Sequence, residues 1–228
     1  MPKDIEPLAL GVMTSLGQDP FASFRKVRDM GFTTCQLGGP PDDYVYGPQA
    51  KEKTETVRAA IAETGVRVTS VFIMFKGHIW DLVDGPRTIG LVPTDKRGER
   101  VVHACRISNW VREVGLDAVT SHIGFIPEDP IDPEYGPFIE MMRAFCRYCA
   151  DNGQTFAFET GQETPATLKR TIEDIGLPGV GINLDPANLL LYGKGRPLEA
   201  VDLIGQYVFN THCKDGRWPD PGGKLGHE

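Results

Sequence analysis

Three polar residues close three apolar runs at one repeating interval. Glu159 ends TFAFE, Asp185 ends VGINLD, and His212 stands near the end of YVFNTHC. Glu159 and Asp185 are 26 residues apart, and Asp185 and His212 are 27 apart. A carboxylate at the inner end of an apolar run needs a partner, because burying it alone costs several kcal/mol. Any one of the three could be a hydrogen-bonded core residue. Together at one interval they point to a shared site. Two carboxylates and an imidazole with an open coordination sphere suit one divalent cation: Mn²⁺, Mg²⁺, Co²⁺ or Zn²⁺.

The interval is that of a βα unit. Short apolar runs alternate with longer helix-periodic segments, predicting strands at 8–13, 33–38, 66–73, 117–123, 155–159, 180–185 and 207–213. Helices are predicted between them at about 20–30, 50–64, 94–114, 134–152, 164–175 and 197–204. The strands are nearly all apolar, as expected for parallel strands covered on both faces. Asp19-Pro20 and Thr164-Pro165 open two helices as a capping residue followed by proline. Gly31, Gly65, Gly115, Gly153 and Gly176 close helices just before the next strand. The first strand leads into LGVMTSLGQDP, which lacks the G-x-G-x-x-G turn of a dinucleotide-binding sheet. The expected fold class is therefore α/β, a TIM barrel in which carboxyl-terminal strand ends converge on one face. One domain, 1–228, is expected, with seven strands and without the final helix-strand-helix unit of a (β/α)8 barrel.

Segment 74–93 is longer than the roughly 2–6 residues of an ordinary βα connection, and reads as a lid or substrate wall. His78 and Trp80 within it are candidate ligand contacts; packing of Ile79, Trp80 and Leu82 on the barrel rim is the alternative. Cys146 and Cys149 form a CxxC within a helical stretch, where positions three apart share one buried face. No second CxxC completes a zinc site.

Net charge −7 disfavours a nucleic-acid partner, which needs a basic surface. No run approaches the ~20 apolar residues that span a bilayer, so no membrane partner is expected. Five cysteines in no even framework, with no secretion signal at the start, predict reduced thiols and a cytoplasmic location. The expected partner is a small molecule.

The segments ETGQE, NLDPAN and THCKD, in that order and spacing, resemble the fifth, sixth and seventh strand ends of the xylose-isomerase-like barrels. That family includes sugar isomerases and epimerases, hydroxypyruvate isomerase, inosose dehydratase and type-two apurinic endonucleases. The resemblance implies that Glu159, Asp185 and His212 ligate the metal and that Glu159 is also an acid/base group. It implies that His122, in SHIGF, faces substrate or a metal-bound oxygen. Lys214 and Asp215 would neutralise substrate charge and orient His212, respectively, a surface ion pair being the alternative. A trinuclear endonuclease site would need histidines where this sequence has Asn188 and the Phe72-Ile73 pair.

The implied reaction is divalent-metal-dependent isomerisation or epimerisation of a small ketose or hydroxy-carbonyl compound through an enediolate. The alternatives are an inosose-type dehydratase and a non-catalytic metal- or sugar-binding barrel. The family's fourth ligand, a glutamate on an eighth strand that is usually the second acid/base group, is expected to be lacking after GRWPDPGGKLGHE. His227 and Glu228 are not expected to replace it. Two outcomes stay open, a shortened active enzyme and an impaired relative, and open strand edges leave room for a homo-oligomer.

Overall fold

The computed structural model describes residues 8–220, 222–223 and 225. Its first half runs β1 (Gly11–Thr14), α1 (Pro20–Asp29), β2 (Thr34–Gly38), α2 (Asp42–Val45), α3 (Ala50–Thr64) and β3 (Arg67–Ile73). It continues with α4 (Gly85–Thr88), α5 (Thr94–Val114), β4 (Ala118–Ser121), α6 (Tyr135–Asp151) and β5 (Thr155–Glu159). The last part is α7 (Pro165–Ile175), β6 (Val180–Leu184), α8 (Pro186–Leu191), α9 (Pro197–Ile204) and β7 (Val208–Thr211).

The caps form as their chemistry dictates. The Asp19 carboxylate accepts from Phe21 N at the start of α1, and the Thr164 hydroxyl accepts from Thr167 N at the start of α7. Gly65, Gly115 and Gly176 end their helices in the left-handed conformation. Strand β1 begins later than predicted, leaving Leu8 and Leu10 exposed and outside the ladder. The short helices α2, α4 and α8, of 4, 4 and 6 residues, were not anticipated. They are too brief to show a 3.6-residue period.

The seven strands are parallel and hydrogen-bonded in the order β1-β2-β3-β4-β5-β6-β7. The sheet curls as seven strands of a TIM barrel, and among the described residues β7 does not pair with β1. Outward-facing residues such as Val71, Phe156, Phe158 and Ile182 join Phe24, Val57, Trp110, Phe138, Met142 and Leu168 of the helices in one core. Full burial of a side chain of this size contributes about 1.5–3 kcal/mol, so this outer layer holds the strands in place. Cys146 and Cys149 belong to it. Burial raises both thiols, Cys149 to about 12, which leaves them poor nucleophiles.

The inner face differs from the expected apolar one. Gln36, Ser70, Thr120 and Asn183 are buried there and linked: Gln36 Nε2 donates to Ser70 Oγ (2.8 Å) and Asn183 Oδ1 (3.3 Å), and Thr120 Oγ1 donates to Ser70 Oγ (3.1 Å). Small and polar residues do not fill the interior. A cavity of about 1000 Å³ remains, lined in part by Gln36, Ser70, Thr120, Ala157 and His212. Among the described residues no helix is long and apolar enough to cross a membrane.

Candidate metal centre and its surroundings

The ends of β5, β6 and β7 bring Glu159, Asp185 and His212 together. One ligand atom from each lies within 4.8 Å of the others. His212 Nδ1 is 2.9 Å from Glu159 Oε1 and 3.4 Å from Asp185 Oδ2. Both carboxylates are almost wholly buried, at 2% and 1% residue exposure.

Neighbours fix each candidate ligand. His212 Nε2 lies 2.7 Å from Gln36 Oε1, which can only accept, so Nε2 carries a proton. In the neutral ring this leaves Nδ1 as a lone pair aimed at the two carboxylates, an arrangement that a cation between them would stabilise. Asn183 Nδ2 donates to Glu159 Oε2. Asp185 is shared between two tasks: Oδ1 accepts from Asn188 N at 3.1 Å, capping α8, while Oδ2 faces His212 and Lys214. The donor set fits a divalent ion of the Mg²⁺ or Mn²⁺ kind, with two carboxylates and a pre-oriented imidazole.

Without a cation the three share charge among themselves. Burial raises the Glu159 carboxyl, and His212 only partly offsets that. For Asp185 burial acts upward too, but His212 and Lys214 outweigh it and hold the group below its ordinary value. Burial alone would lower His212; Asp185 and Glu159 overcome it and raise the ring to about 9.

The other predicted residues divide. His122, just past β4, donates from Nδ1 to Gln162 Oε1 at 3.2 Å. Its ring stands between Phe72 and Trp80, with centroids 5.5 and 5.0 Å away, and Phe72 in turn stacks on His212 at 6.3 Å. Trp80 is thereby connected to the candidate metal centre by contiguous rings. Of the three residues in the rim-packing alternative, Leu82 is half-buried and Ile79 and Trp80 are 45% and 41% exposed, whereas Ile89 and Leu91 anchor the segment at 0%. His78 supports Trp80 from the side (4.9 Å), and its Nε2 accepts from Gly90 N. Lys214 Nζ bridges Asp185 Oδ2 and Asn188 Oδ1, each at 3.3 Å, so it pairs with a candidate ligand. Asp215 is exposed and accepts from Gly216 N; the groups that hold His212 are Gln36, Glu159 and Asp185. His227 and Glu228 lie outside the described residues.

Four buried polar neighbours of the candidate centre escaped the sequence reading. Gln36 and Asn183 interrupt apolar strands at inward positions, and that interruption was the available signal. Gln162 and Glu163 follow Glu159 in ETGQE and are 1% and 3% exposed, which an apparent loop does not advertise. Buried Gln162 Nε2 and Glu163 Oε1 have no hydrogen-bond partner among the described residues. Burial, more than the nearby Glu159 charge, raises the Glu163 carboxyl to about 8 despite backbone hydrogen bonds that favour its ionised form.

Residues 24–228 match the family described as xylose isomerase-like TIM barrel. The chain belongs to that family. A solved xylose isomerase domain protein from Planctomyces limnophilus is 34% identical, with a TM-score of 0.85 over 95% of this chain and 77% of that one. Two further structures share the fold at 19% identity and a TM-score of 0.65. The 3-keto-D-glucoside 4-epimerase of E. coli aligns over 94% of this chain and 82% of its own. A xylose isomerase-like TIM barrel protein from Mycobacterium smegmatis, in complex with magnesium, aligns over 89% and 68%. No curated protein matches the sequence.

Proposed function

We propose that this xylose isomerase-like barrel is a divalent-metal-dependent isomerase or epimerase of a small ketose or hydroxy-carbonyl compound. The observation that carries the reading is the meeting of Glu159, Asp185 and His212 within 4.8 Å at the ends of three successive strands. These three would hold the ion, and Gln36 would keep His212 in the ligating tautomer. When bound, the ion supplies Lewis acidity that polarises a carbonyl and acidifies the adjacent C–H.

The remaining chemistry belongs to the protein. Glu159, held by Asn183 through one carboxylate oxygen, would take a proton from the carbon beside the carbonyl. Phe72, Trp80 and His122 stand ring to ring beside the centre and would offer an aromatic flank to the substrate. Lys214, paired to Asp185, adds positive charge where the substrate oxygens become more negative.

The test is exchange of the substrate α-proton. Mn²⁺-loaded protein is incubated in D₂O with a panel of ketoses, and deuterium uptake is followed by NMR. Exchange that requires the metal and is abolished in Glu159→Gln supports the reading. Metal binding without exchange would instead identify a binding barrel.

A further inference from the structure

The loop after β5 holds a donor without an acceptor. Gln162 is 1% exposed, and its Nε2, with two N–H groups, has no partner among the described residues. Its Oε1 is occupied by His122 Nδ1. Because a carbonyl oxygen only accepts, Nδ1 carries the His122 proton and the opposite ring nitrogen is a bare acceptor in the neutral ring. Two side chains in contact thus offer one donor set and one acceptor, flanked by the rings of Phe72 and Trp80.

A sugar hydroxyl has the complementary needs: it donates once and accepts once. Aromatic walls suit the C–H faces of a carbohydrate. An ionised phosphate offers acceptors alone, so it would satisfy Gln162 but meet the lone pair of His122. Burial keeps this ring neutral, its pKa lowered to about 3, so it gives a phosphate no cationic partner near pH 7.

We propose that Gln162 and His122, walled by Trp80 and Phe72, form a subsite for uncharged substrate hydroxyls and select an unphosphorylated sugar over its phosphate ester. The inference rests on the isomerase reading and sharpens its substrate class. The Gln162 nitrogen is shut from water, so only a bound group can answer its donors. Trp80, on the long β3–α5 connection, is 41% exposed and stands 5.0 Å from the His122 ring.

The test uses Mn²⁺-loaded full-length protein titrated with D-fructose, D-tagatose and D-fructose 6-phosphate. Binding is read by tryptophan fluorescence, with Trp80→Phe as the control that assigns the signal, and α-proton exchange is followed in parallel. The wild type is expected to bind at least one free ketose about tenfold or more tighter than the phosphate ester. Gln162→Met, similar in volume but without donors, is expected to raise KM for exchange about tenfold with a smaller change in kcat and unchanged Mn²⁺ affinity. Equal or tighter binding of the phosphate ester overturns the subsite while leaving the isomerase reading intact, as does an unchanged KM in folded Gln162→Met. Should Gln162→Met not fold, Trp80→Ala on the exposed loop takes its place, with the same expected loss of preference for the free ketose. Absence of exchange with every ketose overturns the isomerase reading and this subsite with it.

Discussion

His212 Nε2 meets Gln36 Oε1 at 2.7 Å across the barrel interior, although 176 positions separate them in sequence. The contact places the proton on Nε2 and turns Nδ1 toward Glu159 and Asp185. Supporting hydrogen bonds of this kind typically change metal affinity 10–100-fold when removed. Gln36→Leu is expected to weaken Mn²⁺ binding by about that factor in calorimetric titration. Gln36→Glu retains an acceptor and is expected to keep affinity within a few-fold. Equal affinity in Gln36→Leu would mean that the tautomer is set elsewhere.

Asp185 uses one oxygen for structure and the other for the centre, so two substitutions should separate the roles. Asn can still accept from Asn188 N but carries no charge. Asp185→Asn is therefore expected to lose most Mn²⁺ affinity while retaining the α8 cap. Asp185→Ala loses both and should be about 1 kcal/mol less stable than Asp185→Asn. Urea unfolding in EDTA reads the cap without metal, and equal stability of the two variants would refute it.

Glu163 makes a prediction about pH. Burial raises its folded-state carboxyl to about 8, against roughly 4.3 for the unfolded chain. The folded state keeps the proton that the unfolded state releases, so this stabilising contribution is full below about pH 4 and is lost as pH rises toward 8. Glu163→Gln does not titrate. Its melting temperature should match the wild type near pH 4–5 and exceed it increasingly toward pH 8. A constant difference across that range would place the buried proton elsewhere.

The three candidate ligands were legible because chain spacing alone dictates their meeting. Successive parallel strands present their carboxyl ends at one face, so residues one βα unit apart become neighbours whatever lies between. Gln36 was not legible in the same way. Its contact with His212 depends on the curl of the whole sheet, and a single glutamine in TTCQLG gives no hint of which distant residue it faces. Trp80 and His78 were recognisable as unusual but not separable. The fold supplies what the sequence could not: Gly90 N donates to His78, and Trp80 stands against His122. The polar interior was misread as apolar because the outward residues, Val71, Phe156 and Ile182 among them, dominate the appearance of each strand.

Gly90 ties the Trp80 segment to the barrel. It has φ +70°, and an added Cβ would fall 2.0 Å from Ile123 O, the atom that accepts from Leu91 N at 2.8 Å and Val92 N at 3.2 Å. Its carbonyl accepts from Arg100 Nη1 at 2.7 Å, and its N–H is the one that holds His78. Gly90→Ala therefore demands both a left-handed alanine and a displaced backbone. The conformational part alone costs roughly 1–3 kcal/mol, which in a domain of this size lowers Tm by about 2–4 °C per kcal/mol. Residues 78–80 should shift with the lost ties, loosening Trp80 from His122 and weakening ketose binding. Glu159, Asp185 and His212 stand at the ends of β5, β6 and β7, so Mn²⁺ affinity of the folded variant should be retained. Calorimetry on folded Gly90→Ala, with Mn²⁺ and then with D-fructose or D-tagatose, separates the two. Equal loss of metal and ketose affinity would show that the segment supports the metal centre itself rather than the aromatic wall beside it.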